Sequence, residues 1–406
     1  MNKKLNKKGF TIVELVIVIV VIAILAAVLI PTFVSLTRKA NIANDTAVAK
    51  NLNTAAISAQ AKTFDEALAA AKESGYLVAN LNAKADKCYF VWEDDTDQFL
   101  LYDLKEKEII YSNTEVTGDP DDSWCFITSS KDDFDEVTTA FPNATCKLAI
   151  ADYDNLNEML SVGGEQTIYI DESLEIAEGD VISVTTAGSN ITLNLGTSSL
   201  STDGTINGAP LYVKEDATLS VVGGTLHVDG QFTNVHGTFN CAIGYDGNAT
   251  KPTNLYVDGT SFIGTTGING SLNYDGDINL FVKNSTFDVT SGGVILSCGN
   301  LGNATIEDCT INAGRYAVFT SQGGNITVSG GSYKGGTAVL YVQDTGSKIV
   351  VDAGDFDGKL EITNGATLEI KGGTFRNTGL ELDAFKAYVV SGKTVTENAD
   401  GSWSVN

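Results

Sequence analysis

One carboxylate, Glu14, stands inside an otherwise apolar run that extends from Phe10 to Ile30. A carboxylate in hydrocarbon costs roughly 2.5–3.5 kcal/mol on insertion scales, so a charged Glu14 needs a cation within the apolar layer. Cleavage after Gly9 would give Phe10 a new α-amine, and that amine on one subunit could neutralise Glu14 on the next. Such a pair would set the axial register of a helical assembly. In the alternative, Glu14 lies near the membrane interface and is protonated or hydrated there.

The apolar run itself has the length of a membrane-spanning helix. Its 21 residues would span ~31 Å as an α-helix, about the hydrocarbon thickness of a bilayer. The apolar core of a secretory signal is shorter, roughly 7–15 residues. Lysines within Lys3–Lys8 precede the run, and the positive-inside tendency places them in the cytoplasm. We therefore expect a single-pass membrane protein whose remaining residues face outward.

The residues around Glu14 carry a family resemblance. The stretch KKGFTIVEL, residues 7–15, resembles the prepilin signature of type IV pilins and pseudopilins. In that family a prepilin peptidase cleaves after the glycine and N-methylates the new first residue. The resemblance implies that Gly9 and Phe10 form the processing site and that Glu14 is the assembly acid. It also matches Pro31 to a proline of the family's first helix. The partners that it implies are prepilin peptidase, other pilin subunits packed helix to helix, and the membrane.

The N-terminal third of the chain is predicted to be pilin-like. Residues 1–9 form the leader peptide, residues 10–31 the transmembrane and assembly helix, and residues 32–113 a continued helix followed by an antiparallel meander. A proline can kink or end a helix, but residues 32–62 contain no Gly, so we expect continuation past Pro31. A capping box, Thr63–Glu66, predicts a second helix over about 64–74.

Short alternating runs follow this second helix and predict three antiparallel strands; they cover residues 88–93, 98–103 and 108–112. The acidic turn 94–97 could bind calcium, but ordinary hairpin chemistry explains it better. Residues 114–165 are expected to form a junction and the N-terminal cap of the next domain, with helices over Lys131–Phe141 and Asp152–Leu160. Cys125 and Cys146 flank the first of these helices and are the preferred disulfide pair; buried thiols are the alternative.

From about residue 166 the sequence repeats a strand-turn-strand phrase. Examples are NLYVDGTSFIG (254–264), NLFVKNSTFDV (279–289) and TLEIKGGTFRN (367–377). The last apolar position of successive phrases is occupied by Phe262, Phe287, Ile311, Tyr333, Phe356 and Phe375. Variable periods of this kind are typical of a parallel β-solenoid, in which each coil buries its inward residues on its neighbours. We therefore predict a right-handed β-helix with a C-terminal cap over residues 166–406. A β-sandwich is the alternative, but it predicts no repeated phrase.

The solenoid offers weak signals for catalysis. His236-Gly237 matches the HG pair of polygalacturonase-like enzymes, yet the accompanying R-x-K, N-x-D and D-D motifs are not present in a consistent arrangement. Arg315 and Arg376 stand without an acidic cluster that is clearly matched to them. No site for a metal or other cofactor is expected. We therefore expect no enzymatic activity, although a membrane-tethered polysaccharide-active β-helix is an alternative.

Composition limits the possible partners. The formal net charge is −25, and such a surface repels nucleic acid, whose phosphates need Lys and Arg. The overall prediction is a mainly β protein that acts as a type IV pilin-like filament subunit, minor or at the tip. It would sit in the cell membrane before assembly and in an extracellular filament afterwards. There it would display the β-helix for adhesion to a glycan or other surface ligand. A pseudopilin of a secretion or uptake apparatus is a further alternative.

Overall fold

The structure of the chain is a computed structural model. It describes residues 12–76, 81–150, 156–157, 159–160, 164–170, 173–176, 182–184, 186–202, 211–213, 216–228, 232–234, 237–239, 241–245, 252–270, 278–297, 302–363 and 365–406. The chain divides into two compact units. The first lies within Met1–Gly75 and Leu81–Cys125, and the second lies within Tyr76–Asn80 and Phe126–Asn406. The predicted fold class is confirmed, with a long helix and a small antiparallel sheet followed by a parallel β-solenoid.

The first three helices begin in an apolar run or behind a capping side chain, whereas the last one, after Glu381, has no side-chain cap. They are α1 (Ile12–Ala59), α2 (Phe64–Glu73), α3 (Lys131–Ala140) and α4 (Leu382–Lys386). Pro31 lies inside α1, so the helix continues past it. At the start of α2, the Thr63 hydroxyl accepts the N–H of Glu66 at 3.3 Å. The Glu66 carboxylate accepts the N–H of Lys62 at 2.7 Å, one residue before the usual capping-box partner.

The first unit contains the predicted antiparallel meander. Its strands are β1 (Cys88–Glu93), β2 (Gln98–Asp103) and β3 (Glu108–Tyr111), and each is paired antiparallel with the next. Trp92 and Phe99 are fully buried, with ring centroids 5.1 Å apart. The Glu93 carboxylate, at the end of β1, accepts the N–H groups of Asp95 and Thr96. This side chain therefore closes the acidic turn that follows it.

The remaining strands follow in chain order. They are β4 (Trp124–Thr128), β5 (Thr145–Ile150), β6 (Glu165–Ile170), β7 (Leu174–Ile176), β8 (Ile182–Val184), β9 (Asn190–Thr202), β10 (Leu211–Val213), β11 (Thr218–Val228), β12 (Phe232–Asn234), β13 (Gly237–Phe239), β14 (Ile243–Tyr245), β15 (Thr253–Asp258), β16 (Ser261–Gly264), β17 (Ile268–Gly270), β18 (Ile278–Lys283), β19 (Thr286–Val289), β20 (Gly292–Ser297), β21 (Gly302–Glu307), β22 (Thr310–Ala313), β23 (Tyr316–Ser321), β24 (Asn325–Ser329), β25 (Ser332–Gly335), β26 (Ala338–Val342), β27 (Lys348–Val351), β28 (Asp355–Asp357), β29 (Leu360–Ile362), β30 (Thr367–Ile370), β31 (Gly373–Arg376), β32 (Val395–Glu397) and β33 (Trp403–Val405).

The solenoid stacks its coils through three rows of parallel strands. The first row runs β6, β9, β11, β15, β18, β21, β24, β27, β30. The second runs β7, β9, β11, β16, β19, β22, β25, β28, β31. The third runs β8, β10, β14, β17, β20, β23, β26, β29. At one corner Gly331 has φ +81°, and a Cβ there would lie 2.2 Å from the Cys309 carbonyl oxygen, so only glycine fits.

The repeat markers found in the sequence form one internal ladder. From Phe262 to Phe375, each marker is the direct register partner of the next. The Phe262 and Phe287 rings stack with centroids 4.3 Å apart. Phe356 stacks 4.9 Å from Tyr333 and 4.9 Å from Phe375. The variable spacing in sequence therefore becomes a constant spacing in space, because loops absorb the differences in length.

Both ends of the parallel stack carry additional elements. β5 pairs parallel with β6, so stacking already includes residues before 166. At the other end β33 pairs antiparallel with β31, and an antiparallel partner stops further parallel addition. Phe385 of α4 packs against Phe375 at 5.2 Å and against Trp403 at 4.8 Å. The aromatic ladder thus ends on a covered face.

Candidate functional site

The N-terminal half of α1 exposes a continuous apolar surface. The described large apolar side chains from Ile12 to Leu36 are at least 46% exposed. Among the described residues, α1 is the helix long and apolar enough to cross a membrane. Exposed apolar patches of this extent mark sites that contact a membrane or another protein. This part of α1 therefore needs lipid or other helices around it.

Glu14 and Pro31 both lie within this apolar surface, Glu14 close to its start. Glu14 lies in the first described turn of α1 and is exposed. A carboxylate at a helix N-terminus is favoured by the helix dipole. Pro31 has no N–H to donate to the carbonyl four residues earlier, which weakens the helix locally. The acid and the proline thus frame the segment that the sequence predicts to be the assembly helix.

The C-terminal half of α1 is fixed to the meander by specific contacts. The buried Asn53 amide donates to the Phe99 carbonyl at 2.8 Å, and its oxygen accepts the Phe99 N–H at 2.7 Å. Both backbone groups of Phe99 are therefore satisfied by one side chain. Ala49 and Leu52 of the same helical segment are also fully buried.

Further polar contacts hold α1 nearer its middle. Arg38 Nη2 lies 2.7 Å from Asp103 Oδ2, and the Asp103 side chain is only 2% exposed. The hydrogen bond to Asp103 raises the pKa of the Arg38 guanidinium above its usual range. Asp45 accepts the N–H of Ala85 at 2.8 Å. Burial raises the pKa of the nearby Cys88 thiol to about 11. These contacts fix one half of α1 and leave the apolar half as a projecting rod within the first unit.

Several predicted site residues stay predictions. Gly9 and Phe10 lie outside the described residues. Cys125 is buried in β4, while Cys146 lies in β5 with a side chain that falls outside the description. The proposed disulfide between them is therefore not tested.

The solenoid residues considered for catalysis take separate positions. His227 is exposed on β11, and His236 falls outside the described residues. Arg315 lies over the Tyr316 ring at 4.9 Å. Arg376, which looked unmatched in the sequence, pairs with Asp355 of the preceding coil at 2.9 Å. Within the described part of the chain, no group of three or more His, Cys, Asp or Glu side chains is placed to hold a metal ion.

One surface feature was missed in the sequence analysis. Tyr256 and Phe281 occupy outward positions of β15 and β18, are register partners, and stack in parallel with centroids 5.0 Å apart. Each is 41% exposed. The signal was present in the repeated phrases, because NLYVDG and NLFVKN both place an aromatic residue between two inward apolar positions.

Comparison with known proteins gives matches to the N-terminal motif and to pilins. The model described as "Prokaryotic N-terminal methylation motif" matches residues 4–30. The type IV wide pilus major component PilA4 of Thermus thermophilus is 56% identical over 50 residues, 12% of this chain and 36% of that protein. The type IV narrow pilus major component PilA5 of the same organism is 40% identical over 80 residues, 20% of this chain and 52% of that protein. No solved structure matches the chain significantly.

These matches confirm the family resemblance. The motif covers Gly9, Phe10 and Glu14, and the N-terminal segment is that of a type IV prepilin-like protein. The chain spans about a third to a half of the length of these curated relatives, and each similarity covers 20% of this chain or less. Most of the solenoid therefore lies outside these similarities.

Proposed function

We propose that this chain is a membrane-anchored subunit of a type IV pilin-like filament and that it carries the solenoid on the outside of that filament. The observation that carries the proposal is the division of α1 into two halves. One half is an exposed apolar rod that bears the methylation motif. The other half is fixed to the meander by Asn53 and Arg38, and to the Ala85 backbone just before the meander by Asp45. An apolar helix of this kind is first anchored in the lipid bilayer. On assembly, its contacts with lipid are replaced by contacts with the same helix of neighbouring subunits.

Glu14 gives the assembly its register in this proposal. Prepilin peptidase cleaves between Gly9 and Phe10 and methylates the new N-terminus. The resulting amine on one subunit pairs with Glu14 on its neighbour inside the apolar bundle. Removing one partner of a pair buried in this way leaves an uncompensated charge, which is strongly unfavourable. Each subunit is therefore accepted only at the axial position where its acid meets an amine.

The size of the solenoid supports a minor or tip position. The second unit extends from Phe126 to Asn406, whereas the similarity to the two Thermus major components covers at most 80 residues. A bulky unit on every subunit would hinder close helix packing. The proposed role of the solenoid is adhesion rather than catalysis. Arg376, which was considered as a catalytic residue, is instead held in an ion pair with Asp355.

Mass spectrometry and filament purification test this proposal. The chain is produced in cells that assemble the filaments, and the N-terminus of the mature protein is sequenced. We expect a methylated Phe10 as the first residue. Surface-exposed protein that still begins with Met1 would contradict the processing step. Filaments composed mainly of this chain would contradict the minor position.

Variants test the role of Glu14 directly. Glu14→Gln keeps the size of the side chain and removes its charge. We expect at least about a tenfold loss of the chain from sheared filaments and its accumulation in the membrane fraction, since tenfold corresponds to only ~1.4 kcal/mol of pairing. Ser35→Ala is the matched control, because Ser35 is also polar and exposed on α1. Unchanged incorporation of Glu14→Gln would show that charge pairing is not the role of this residue.

A further inference from the structure

We propose that the exposed stack of Tyr256 and Phe281, called here the aromatic pair, binds a neutral oligosaccharide; this inference rests on the proposed role of the solenoid in adhesion. The aromatic pair lies on the first strand row of the second unit. Its register neighbours are Ser220 on one side and Thr305 on the other. The two rings thus form a small apolar surface between the hydroxyl-bearing residues Ser220 and Thr305.

Burial sets the aromatic pair apart from the rest of the solenoid surface. In the described part of the second unit, the exposed large apolar side chains are Tyr256, Phe281 and Ile263. A stable protein–protein interface buries about 800 Å² on each partner. Two rings and one isoleucine on a different strand row do not supply an apolar surface of that size. A small ligand with a limited apolar face fits the observed surface better than a protein does.

Polar groups flank the aromatic pair on one side through an amide column. Asn254, Asn279 and Asn303 are consecutive register partners at outward positions. The Asn279 amide donates to Asn254 Oδ1 at 2.9 Å, and the Asn254 amide donates to Thr218 Oγ1 at 3.2 Å. Each amide group carries both donors and acceptors, so the column can continue its hydrogen bonding into hydroxyl groups laid across it.

Charged groups flank the aromatic pair on the other side. Asp258, Lys283 and Glu307 are register partners along one column, and Lys283 Nζ lies 3.0 Å from Asp258 Oδ2. Two carboxylates thus surround one ammonium, which leaves no net positive charge for an acidic ligand. The net charge of −25 over the whole chain adds long-range repulsion of polyanions. These charges select against acidic polysaccharides.

A shallow depression joins the aromatic pair to the charged column. Its volume is about 220 Å³, and its lining includes Tyr256, Phe281, Thr305 and the three charged side chains. Pockets for drug-sized molecules are larger, ≈ 300–1,000 Å³, so this depression holds one ring-sized group at a time. A sugar ring offers apolar C–H bonds for the aromatic surface and hydroxyl groups for the amides and carboxylates. The combination of ring surface, amides and balanced charge is the chemistry that a neutral sugar chain requires.

Binding measurements on the full chain test this inference. The protein is held in a detergent without a sugar headgroup and titrated with neutral hexasaccharides of glucose, galactose and mannose. Polygalacturonate and chitosan serve as the anionic and cationic probes. We expect at least one neutral hexasaccharide to bind and polygalacturonate not to bind. If none of the neutral probes binds, or if polygalacturonate binds more tightly than they do, the inference is wrong.

Substitutions locate the binding surface. We expect Tyr256→Ala and Phe281→Ala each to weaken binding at least about fivefold, in line with the energies of aromatic contacts. Ile263→Ala is the matched control, since Ile263 is 42% exposed but lies on the second strand row, and its affinity should stay within about twofold of wild type. Unchanged affinity in the Tyr256→Ala, Phe281→Ala double variant overturns the inference. So does loss of self-association in that variant without any glycan binding by the wild type, because the occupant would then be a second copy of the chain.

The outcome is separable from that of the filament proposal. Filament incorporation depends on α1 and is measured in sheared filaments, whereas hexasaccharide binding is measured on solubilised chain. Binding without incorporation would refute the filament proposal and retain the sugar site. Incorporation into filaments without hexasaccharide binding by the wild-type chain would refute the sugar site and retain the filament proposal.

Discussion

The two units of this chain obtain a unique structure in different ways. In the described part of the first unit, individual polar side chains make contacts that do not recur from strand to strand, such as the two hydrogen bonds of the Asn53 amide to the Phe99 backbone. In the solenoid, the same type of contact is repeated from coil to coil, as in the ladder from Phe262 to Phe375. The first unit is therefore specified by singular hydrogen bonds and the second by repetition.

This difference affects how each unit should respond to damage. A repeated coil contacts mainly its two neighbours, so its stability is approximately a sum of coil and interface terms. When a contact of the first unit is removed, no equivalent contact in a neighbouring repeat compensates for the lost stability. Hydrogen exchange measured by mass spectrometry on the full chain resolves the two units and allows the responses to be compared.

The largest effect is expected inside the solenoid ladder. Phe356 is fully buried between Tyr333 and Phe375, so Phe356→Ala should cost about 3–5 kcal/mol. Protection should fall in β25, β28 and β31 while β1 and β2 remain protected. Phe281→Ala is the control on an exposed ring and should cost less than about 1 kcal/mol. Equal effects of the two variants would refute a ladder-based core.

The next effect is expected at the singular amide contact of the first unit. Asn53→Ala removes the partner of the Phe99 N–H and C=O groups in a buried position. Each unsatisfied group costs about 1–3 kcal/mol, so we expect the two groups together to cost at least about 2 kcal/mol. The measurement is the loss of exchange protection in β2. Asn41→Ala, which loses an exposed bond to the Lys84 carbonyl, should cost less than about 1 kcal/mol; a loss centred on the solenoid would contradict the comparison.

A smaller effect is expected at the ion pair of the first unit. Arg38→Met leaves the nearly buried Asp103 carboxylate with the N–H groups of Lys105 and Glu106. These donors reduce the penalty below that of an unpaired buried charge, to about 1–2 kcal/mol. The loss of exchange protection in β1 and β2 measures it. Lys62→Met breaks an exposed pair with Asp97 and should change stability by less than about 1 kcal/mol. A larger cost for Lys62→Met than for Arg38→Met would show that burial does not rank these pairs.

The smallest effect is expected at the surface charges of the solenoid. Burial raises the pKa of Asp258, but hydrogen bonds from Asn284 and Lys283 outweigh it, and the net pKa is lowered from 3.8. A lowered folded-state pKa stabilises the protein above that ordinary value, and the contribution is lost as the pH falls through the folded pKa. Lys283→Met should therefore cost less than about 1 kcal/mol at pH 7.

The pH dependence of this cost is the test. Denaturation of wild type and Lys283→Met is compared at pH 7 and again below 3.8, where the difference should shrink. A difference that grows as the pH falls would reverse the assigned sign. Lys359→Met, whose nearest carboxylate oxygen is 4.0 Å away, is the control.

Much of the fold was predictable because it depends on local periodicity. The capping box at Thr63 predicts α2, and the alternating runs predict β1, β2 and β3. The markers from Phe262 to Phe375 predict the stacked ladder, since apolar residues that recur once per coil must face the same core. The pairing of Arg376 with Asp355 was not predictable in this way, because it depends on register between coils and not on nearby sequence.

The proposed assembly site divides in the same way, into a part visible in local sequence and a part that is not. Its motif, apolar length and single acid are all visible in residues 7–31, because membrane insertion and peptidase recognition act on contiguous sequence. The attachment of α1 is not visible there. Asn53 looks like any polar helix residue until the meander brings the Phe99 backbone to it.

The sequence by itself determined the membrane-length rod, the processing motif, the strand meander and the repeating coil. These features follow from the order of apolar and polar residues along a short stretch of chain. Only the tertiary structure decided which polar side chains fix α1, which charges neutralise each other, and that Tyr256 and Phe281 stand together in the open. Those outcomes depend on which residues of distant chain segments become neighbours when the strands pair. A local sequence pattern does not specify these pairings.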